Sequence, residues 1–231
     1  MDNFKKFYLL QVNDSLFPIG GYSHSQGLET YIQKGLVHDI KTAERYIVNK
    51  IKMSLKYTDL LAVRLAYEKT KAGDLAGLLE LEDILTASRI PQEQREAVRK
   101  MGSRFAKTVE GLKLKECQQG IFKDFLGVRA SEGVSHPCIY GAFCAVLDIE
   151  LEEALTNFLY AQTSAMVTNC VKTIPLSQTA GQQILSDCYG ELQAVLEEVM
   201  VLGEEDLCLS APGFDIRGIQ HETLYSRLYM S

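Results

Sequence analysis

Residues 151–166 read L-E-E-A-L-T-N-F-L-Y-A-Q-T-S-A-M, and this stretch decides the fold class. Its apolar side chains recur at steps of three and four residues, at Leu151, Ala154, Leu155, Phe158, Leu159, Ala165 and Met166. Because an α-helix completes a turn every 3.6 residues, these steps place side chains on one face of a helix. The stretch therefore predicts a helix that buries one face in a core.

The same helical spacing returns on both sides of this stretch. On the N-terminal side, residues 40–70 form another long candidate helix. A second stripe runs through residues 184–200 and consists of Ile184, Leu185, Cys188, Leu192, Val195, Leu196 and Val199. No convincing run alternates between apolar and polar side chains, which is the pattern of a half-buried strand. The sequence predicts an all-α fold, a multi-helix bundle.

Prolines and linkers bear on the domain organisation. Pro91 and Pro137 each stand where a helical pattern begins, a position that proline tolerates. No segment rich in Gly, Pro or Ser divides the chain, so residues 1–231 are predicted to form a single domain. From residue 204 onward the chain mixes acidic, turn-forming and aromatic residues. We predict that this C-terminal segment, residues 204–231, docks through a few anchors or is ordered by a partner.

Composition and charge exclude several classes of function. The chain has 231 residues, is 46% hydrophobic and carries a net charge of −6. A nucleic-acid binder needs a basic face, so the charge argues against one. No apolar run approaches the roughly 20 residues of a membrane span, and the first residues lack the apolar core of a signal peptide. We expect a cytoplasmic protein that binds neither nucleic acid nor membranes.

Residues with catalytic or metal-binding chemistry are scattered. The six cysteines include no C-x-x-C pair, and we expect them to be small buried hydrophobes in a reducing compartment. No two of the four histidines have the i, i+4 spacing of a helical metal site. The chain has no phosphate-binding G-x-x-x-x-G-K-[ST] motif. We expect no catalytic, cofactor-binding or metal-ligating residues, although a metal site completed by a second subunit or partner stays open.

Residues 14–29, the signature segment, read D-S-L-F-P-I-G-G-Y-S-H-S-Q-G-L-E. The Gly20-Gly21 pair breaks any regular element, because glycine takes a positive φ at little cost. An amphipathic run begins at Leu28. The pattern predicts a tight turn leading into a helix, with Ser23 or Ser25 as the N-cap of that helix.

Three separated blocks of the chain resemble the urease accessory protein F (UreF) family. The first is Leu9-Leu10-Gln11 followed by residues 18–29, the second is residues 171–179, and the third comprises Asp215-Ile216 and residues 221–231. The first and third blocks are specific in combination. The second block departs from the family pattern P-L-G-Q, because Ser177 replaces the glycine. This replacement calls for ordinary backbone angles or modest strain at the turn.

The resemblance implies an all-helical protein that forms a homodimer and is not an enzyme. It implies a scaffold that bridges the accessory protein D (also called H) and the GTPase accessory protein G. That assembly inserts nickel into apo-urease, whose site needs a carbamylated lysine, and the scaffold would tune the GTPase. Two alternatives stay open: a chaperone that binds nickel directly, and an all-helical enzyme with an unrecognised site.

Two surfaces are predicted to bind these partners. The turn that carries Lys172, Pro175 and Gln178 is predicted to lie near the docked GTPase. The C-terminal segment is predicted to dock the D/H protein and to be partly mobile without it. Its candidate residues are Phe214, Ile216, His221, Glu222, Leu224, Tyr225, Arg227, Leu228 and Tyr229. Leu224 and Leu228 have the i, i+4 spacing that an amphipathic helix needs to enter a groove.

Overall fold

The computed structural model of the chain describes residues 3–209 and 211–231, and it leaves the side chain of Tyr22 undescribed. The side chain of Tyr22, in the signature segment, and the whole of Ser210, in the C-terminal segment, therefore lie outside the described part of the chain. The α-helices are α1 (Asn3–Asn13), α2 (Leu28–Gln33), α3 (Ile40–Lys50), α4 (Leu61–Ala72), α5 (Leu75–Ser88), α6 (Gln92–Gly111), α7 (Gly120–Val128), α8 (His136–Val146), α9 (Leu151–Thr173), α10 (Gln178–Asp187), α11 (Tyr189–Val199) and α12 (Pro212–His221). The described residues contain no β-strand, which confirms the all-α prediction.

Helix α8 lies at the centre of the molecule. Every residue from His136 to Ala145 is buried, and α4 and α6 pack against this helix. Gly141 permits the close approach of α4, because a Cβ atom at that position would lie 2.4 Å from the carbonyl oxygen of Val63. The aromatic ring of Phe105 from α6 packs edge-on against Phe143, with ring centroids 5.5 Å apart. The core therefore surrounds α8, and the other helices form the shell.

The stretch that predicted the fold class forms the first part of α9. Ala154, Leu155, Phe158 and Leu159 are buried, as predicted. Further along the helix the buried face continues through residues 163, 167 and 170 and leaves Ala165 exposed. The apolar pattern did not show this continuation, because residue 163 is a threonine. Its side chain can be buried because its hydroxyl donates a hydrogen bond to a backbone carbonyl oxygen one turn earlier.

The other two predicted helical stretches differ from simple α-helices. Residues 40–72 run without a break, but the middle part, Ile51–Leu60, is a π-helix that joins α3 to α4. The spacing of the buried apolar residues lengthens from four, between Ile51 and Leu55, to five, between Leu55 and Leu60, which fits the wider π turns. Residues 184–200 are divided between α10 and α11, and the fully buried Cys188 lies at the junction.

Prolines and cysteines mostly occupy the environments expected of them. Pro91 immediately precedes α6, and Pro137 lies in the first turn of α8. All six cysteines are thiols, and all except the half-buried Cys208 are buried. Burial raises the pKa of Cys188 to about 11, so its thiolate is scarce at neutral pH. Within residues 3–209 and 211–231, no helix is both long enough and apolar enough to cross a membrane.

Candidate partner interface

The signature segment forms the predicted turn, but its serines have another role. Gly20 has φ +80° and Gly27 has φ +86°, a region that favours glycine. Gly27, and neither serine, is the residue that precedes α2, and no side chain caps this helix. The prediction that Ser23 or Ser25 is the N-cap is wrong. The hydroxyl of Ser25 instead donates to the backbone carbonyl of Ser231, at 2.9 Å.

The last residues of the chain lie along the signature segment. The backbone N–H groups of Ser25 and Gln26 donate to the carbonyl oxygen of Ser231, at 2.6 and 2.9 Å. The N–H of Met230 donates to the carbonyl oxygen of Ser23, at 2.9 Å. Burial, helped by nearby lysine and arginine side chains, lowers the pKa of His24. A neutral His24 ring can accept a hydrogen bond from the hydroxyl of Ser231, 2.8 Å from Nδ1.

The buried carboxylate of Glu29 holds the backbone of the C-terminal segment at Leu228 and Tyr229, just before the last two residues. Glu29, on α2, is only 6% exposed. One of its oxygens accepts a hydrogen bond from the N–H of Leu228, at 2.7 Å, and the other accepts one from the N–H of Tyr229, at 3.0 Å. The second oxygen also lies 3.1 Å from Nε2 of His221. A single side chain of the signature segment therefore holds three groups of the C-terminal segment.

His221 joins Glu29 to a second carboxylate. Its Nδ1 atom lies 2.9 Å from a carboxylate oxygen of Glu93, on α6. Arg227 forms an ion pair with the other oxygen of Glu93. Both ring nitrogens of His221 can donate to ionised carboxylates only when the ring is protonated. We call Glu29, Glu93, His221 and Arg227 the clasp, because they connect α2, α6 and the C-terminal segment.

The clasp has the composition of a structural ion-pair network. The carboxylates of Glu29 and Glu93 lie on opposite nitrogens of the His221 ring, so they do not converge on one point. Among the residues that the structure describes, no group of three or more His, Cys, Asp or Glu side chains is placed to hold a metal ion. The clasp therefore holds the backbone of the C-terminal segment in place, and its side chains do not form an open set of metal ligands.

Helix α12 packs closely on α2 and α3. The ring of Phe214 contacts those of Tyr31 and Tyr46, at centroid distances of 5.9 and 6.1 Å. At the start of α2, a Cβ atom on Gly27 would lie 3.3 Å from the backbone of Gly218. Two glycines thus allow the helix backbones to approach closely. This packing and the clasp order the C-terminal segment against the rest of the chain.

The predicted residues of the C-terminal segment fall into two groups. His221 and Tyr229 are buried within this chain, and Phe214, Glu222 and Leu224 are half-buried. The exposed members are Ile216, Tyr225, Arg227 and Leu228. Helix α12 ends at His221, so Leu224 and Leu228 lie beyond the helix and do not share a helical face in this structure.

Exposed apolar side chains extend beyond the predicted set. Tyr225 is fully exposed, and 78% of Leu228 is exposed. Ile219 and Met230 are also exposed, and the sequence-based prediction omitted both. It also omitted Glu29 and Glu93. The sequence did offer a reason to consider Glu29, because this residue ends the signature segment. No local pattern distinguishes Glu93 from the other surface glutamates of α6.

The second predicted surface is the turn between α9 and α10. Lys172, Pro175 and Gln178 are all exposed. Ser177 has ordinary extended backbone angles, φ −75° and ψ 157°, so replacing the family glycine causes no strain here. Its hydroxyl caps α10 by accepting a hydrogen bond from the N–H of Ala180, at 3.0 Å.

A buried amide connects this turn to the signature segment. Asn169 lies one turn before Lys172 on α9, and its Nδ2 donates to the carbonyl oxygen of His24, at 2.9 Å. The end of α9 is thereby attached to the turn against which the C-terminal segment lies. The end of α9, which leads into the second block, therefore meets the first block at His24, where the third block also lies.

Comparison with known proteins gives consistent matches over nearly the whole chain. The sequence profile of the UreF family matches residues 37–189. A protein named urease accessory protein UreF from Bacillus sp. (strain TB-90) is 36% identical over 225 residues, covering 96% of this chain and 97% of the relative. One with the same name from Lachnoclostridium phytofermentans is 35% identical over all of both chains, and one from Geobacillus kaustophilus is 34% identical over 97% of both.

Proposed function

Because this chain belongs to the UreF family of urease accessory proteins, we propose that it serves urease maturation as a non-catalytic scaffold. In this proposal it bridges the accessory D/H protein and the GTPase accessory protein G while nickel is inserted into apo-urease. It also modulates the GTPase and acts as a homodimer in the cytoplasm. The scaffold supplies surfaces and no reacting group.

One observation carries the proposal: the clasp orders the C-terminal segment and leaves apolar side chains exposed on it. Tyr225, Leu228, Ile216 and Ile219 are exposed on the segment that also carries Arg227 and its ion pair. Tyrosine and arginine are enriched among the residues that dominate binding energy in protein interfaces. Fully burying a side chain the size of leucine contributes about 1.5–3 kcal/mol. We assign this surface to the D/H protein.

The buried members of the predicted set support the surface indirectly. His221 and Tyr229 fix the backbone on either side of Tyr225 and Leu228. A surface that is already ordered loses less conformational entropy on binding than a mobile tail. The assignment therefore does not depend on mobility of the segment in the absence of its partner, which stays a prediction.

The turn between α9 and α10 is assigned to the GTPase. It presents an exposed ammonium at Lys172 and an exposed amide at Gln178, on either side of the exposed Pro175. Proline restricts its own backbone, and the cap at Ser177 restricts the start of α10. Asn169 holds the end of α9 to the signature segment, so the two assigned surfaces belong to one connected unit.

Pull-down from cells that co-express the accessory proteins tests the assignment to the D/H protein. The double substitution Tyr225→Ser with Leu228→Ser should abolish capture of the D/H protein while the chain keeps its helical circular dichroism. Val128→Ser with Val201→Ser is the matched control, because both valines are exposed elsewhere. Capture of the D/H protein at wild-type strength by the Tyr225/Leu228 variant would refute this assignment.

Urease activation in the same cells tests the GTPase surface. Lys172→Ala should lower both GTPase capture and urease activation, whereas Lys123→Ala, an exposed lysine on α7, should change neither. Equal activation by both variants would contradict the assignment. Equilibrium dialysis of the isolated chain against nickel provides a further check, since tight stoichiometric binding would favour a direct nickel chaperone over a scaffold.

A further inference from the structure

A cavity of about 350 Å³ lies between the π-helix, the loop that joins α5 to α6, and the residues Cys208, Leu209, Ala211 and Asp215. This volume is within the range of small-molecule sites in proteins. The π-helix provides Ser54, Thr58 and Asp59 to its lining. Wide π turns occur frequently at functional sites, because they displace side chains from the regular helical positions. The cavity is separate from the two surfaces assigned above.

A buried lysine, Lys50, lines the cavity. Lys50 is only 5% exposed, and its ammonium lies 4.7 Å from the centroid of the Phe214 ring. Within residues 3–209 and 211–231, its Nζ atom has neither a hydrogen bond nor an ion pair. Burial lowers the pKa of Lys50 to about 8, so the amine is still mostly protonated at neutral pH. The cavity therefore contains a cation that contacts the Phe214 ring and whose hydrogen-bond donors are unused within the described part of the chain.

Two further donors in the lining are also unused. Arg89 forms an ion pair with Asp59, at 2.7 Å, and the other oxygen of Asp59 accepts a hydrogen bond from Thr58, at 2.8 Å. The Nε–H of Arg89 and the side-chain amide nitrogen of Gln94 are buried and have no partner in the described part of the chain. Leaving a buried donor unsatisfied costs about 1–3 kcal/mol. A negatively charged hydrogen-bond acceptor in the cavity would give partners to the donors of Lys50, Arg89 and Gln94.

An acid completes the lining. Asp215, in the first part of α12, lines the same cavity, and burial raises the pKa of its carboxyl group. Among the described residues, no ion pair within 4.0 Å joins Asp215 to Lys50. Opposite charges thus share the cavity without direct contact. A dianion such as phosphate would be repelled by both Asp59 and Asp215, whereas a molecule with both charges matches both sides.

We propose that this cavity binds a small zwitterion with the chemistry of a free amino acid. Its carboxylate accepts hydrogen bonds from Lys50, Arg89 and Gln94, and its ammonium group lies toward Asp215. Because Phe214 and Asp215 begin α12, the ligand also strengthens the contact between the C-terminal segment and the helical core.

Titration calorimetry and saturation-transfer NMR on the full chain test the proposal. The probes are glycine, L-alanine and L-glutamate, with acetate and ethylammonium as the two half-ligands. We expect at least one amino acid to bind at least tenfold more tightly than either half-ligand. Lys50→Met should weaken this binding at least tenfold. Lys52→Met is the matched control, because Lys52 is half-exposed, lies two residues further along the continuous helical run in the π-helix, and pairs with Glu191 outside the cavity.

Asp215→Asn provides a second variant that leaves Lys50 in place. It should remove the preference for the amino acid over acetate and leave the circular dichroism unchanged. Binding by none of the three amino acids, or acetate binding as tightly as they do, would overturn the proposal. Undiminished amino-acid binding by a folded Lys50→Met or Asp215→Asn protein would overturn it as well.

Discussion

Replacing Glu29 with glutamine is expected to release the end of the C-terminal segment from the signature segment. The two oxygens of Glu29 accept hydrogen bonds from the N–H groups of Leu228 and Tyr229, and one of them also faces His221. A glutamine at this position has a single acceptor oxygen, and its amide nitrogen is a donor. Whichever way the amide is oriented, at least one buried N–H loses its acceptor.

The magnitude follows from the burial of the site. A hydrogen bond to a charged group contributes about 1.5–3 kcal/mol, and an unsatisfied buried donor costs about 1–3 kcal/mol. The side chain of Glu29 is 8% exposed, so solvent screens these interactions little. We expect Glu29→Gln to lower the free energy of local opening by about 3 kcal/mol, which corresponds to roughly a 100-fold change in the opening equilibrium.

Native-state hydrogen exchange measures this opening directly. The amides of Leu228 and Tyr229 should lose roughly 100-fold in protection in Glu29→Gln, while amides in α8 keep theirs because the core is not altered. Glu152→Gln is the matched control, since Glu152 is an exposed glutamate on α9. If protection at residues 228 and 229 changes less than threefold in Glu29→Gln, the clasp does not hold this segment and the reasoning is wrong.

Two further predictions concern stability. Gly27→Ala should destabilise the chain more than Gly35→Ala in urea denaturation, by about 1 kcal/mol, because both have a positive φ but only a Cβ on Gly27 meets the backbone of Gly218; equal losses would contradict the close helix contact. Lys50→Met should be more stable than the wild type below pH 8, with a pH-dependent gain of about 3 kcal/mol that fades as the pH rises to 10.5. Burial disfavours the charged amine in the folded wild type, so the unfolded chain binds more protons between pH 8 and 10.5, and the stability of the wild type rises over this range. A gain from Lys50→Met that is constant from pH 7 to 10 would refute the lowered pKa.

Helical periodicity predicted the fold class because it depends only on neighbouring residues. The buried face of α9 could be read from Leu151 to Leu159, where every buried residue is apolar. The break at Cys188 could not, because the same apolar spacing continues across the junction of α10 and α11. The π-helix left a weak local signal, the five-residue step from Leu55 to Leu60. Whether such a step becomes a π turn or a kink depends on what packs against it.

The candidate interface was less predictable for a physical reason. Ser25 was predicted to cap a helix because a serine before an amphipathic run usually does. Its hydroxyl instead meets a carbonyl 206 positions away, and no local pattern encodes that contact. The same holds for Glu93, which pairs with His221 across 128 positions. The sequence identified the C-terminal segment as a candidate interface. It could not show which of its side chains are buried within this chain and which are exposed.

The clasp joins the first and third blocks of the chain in space. Glu29 comes from the first block, and His221 and Arg227 come from the third. Each carboxylate is buried or half-buried, so removing its partner would leave a desolvated charge. A substitution in either block therefore disturbs the other, although about 190 residues separate them in sequence. The clasp thus links the C-terminal segment to the signature segment, and the hydrogen bond of Asn169 to the carbonyl of His24 links the signature segment in turn to the end of α9, one turn before Lys172.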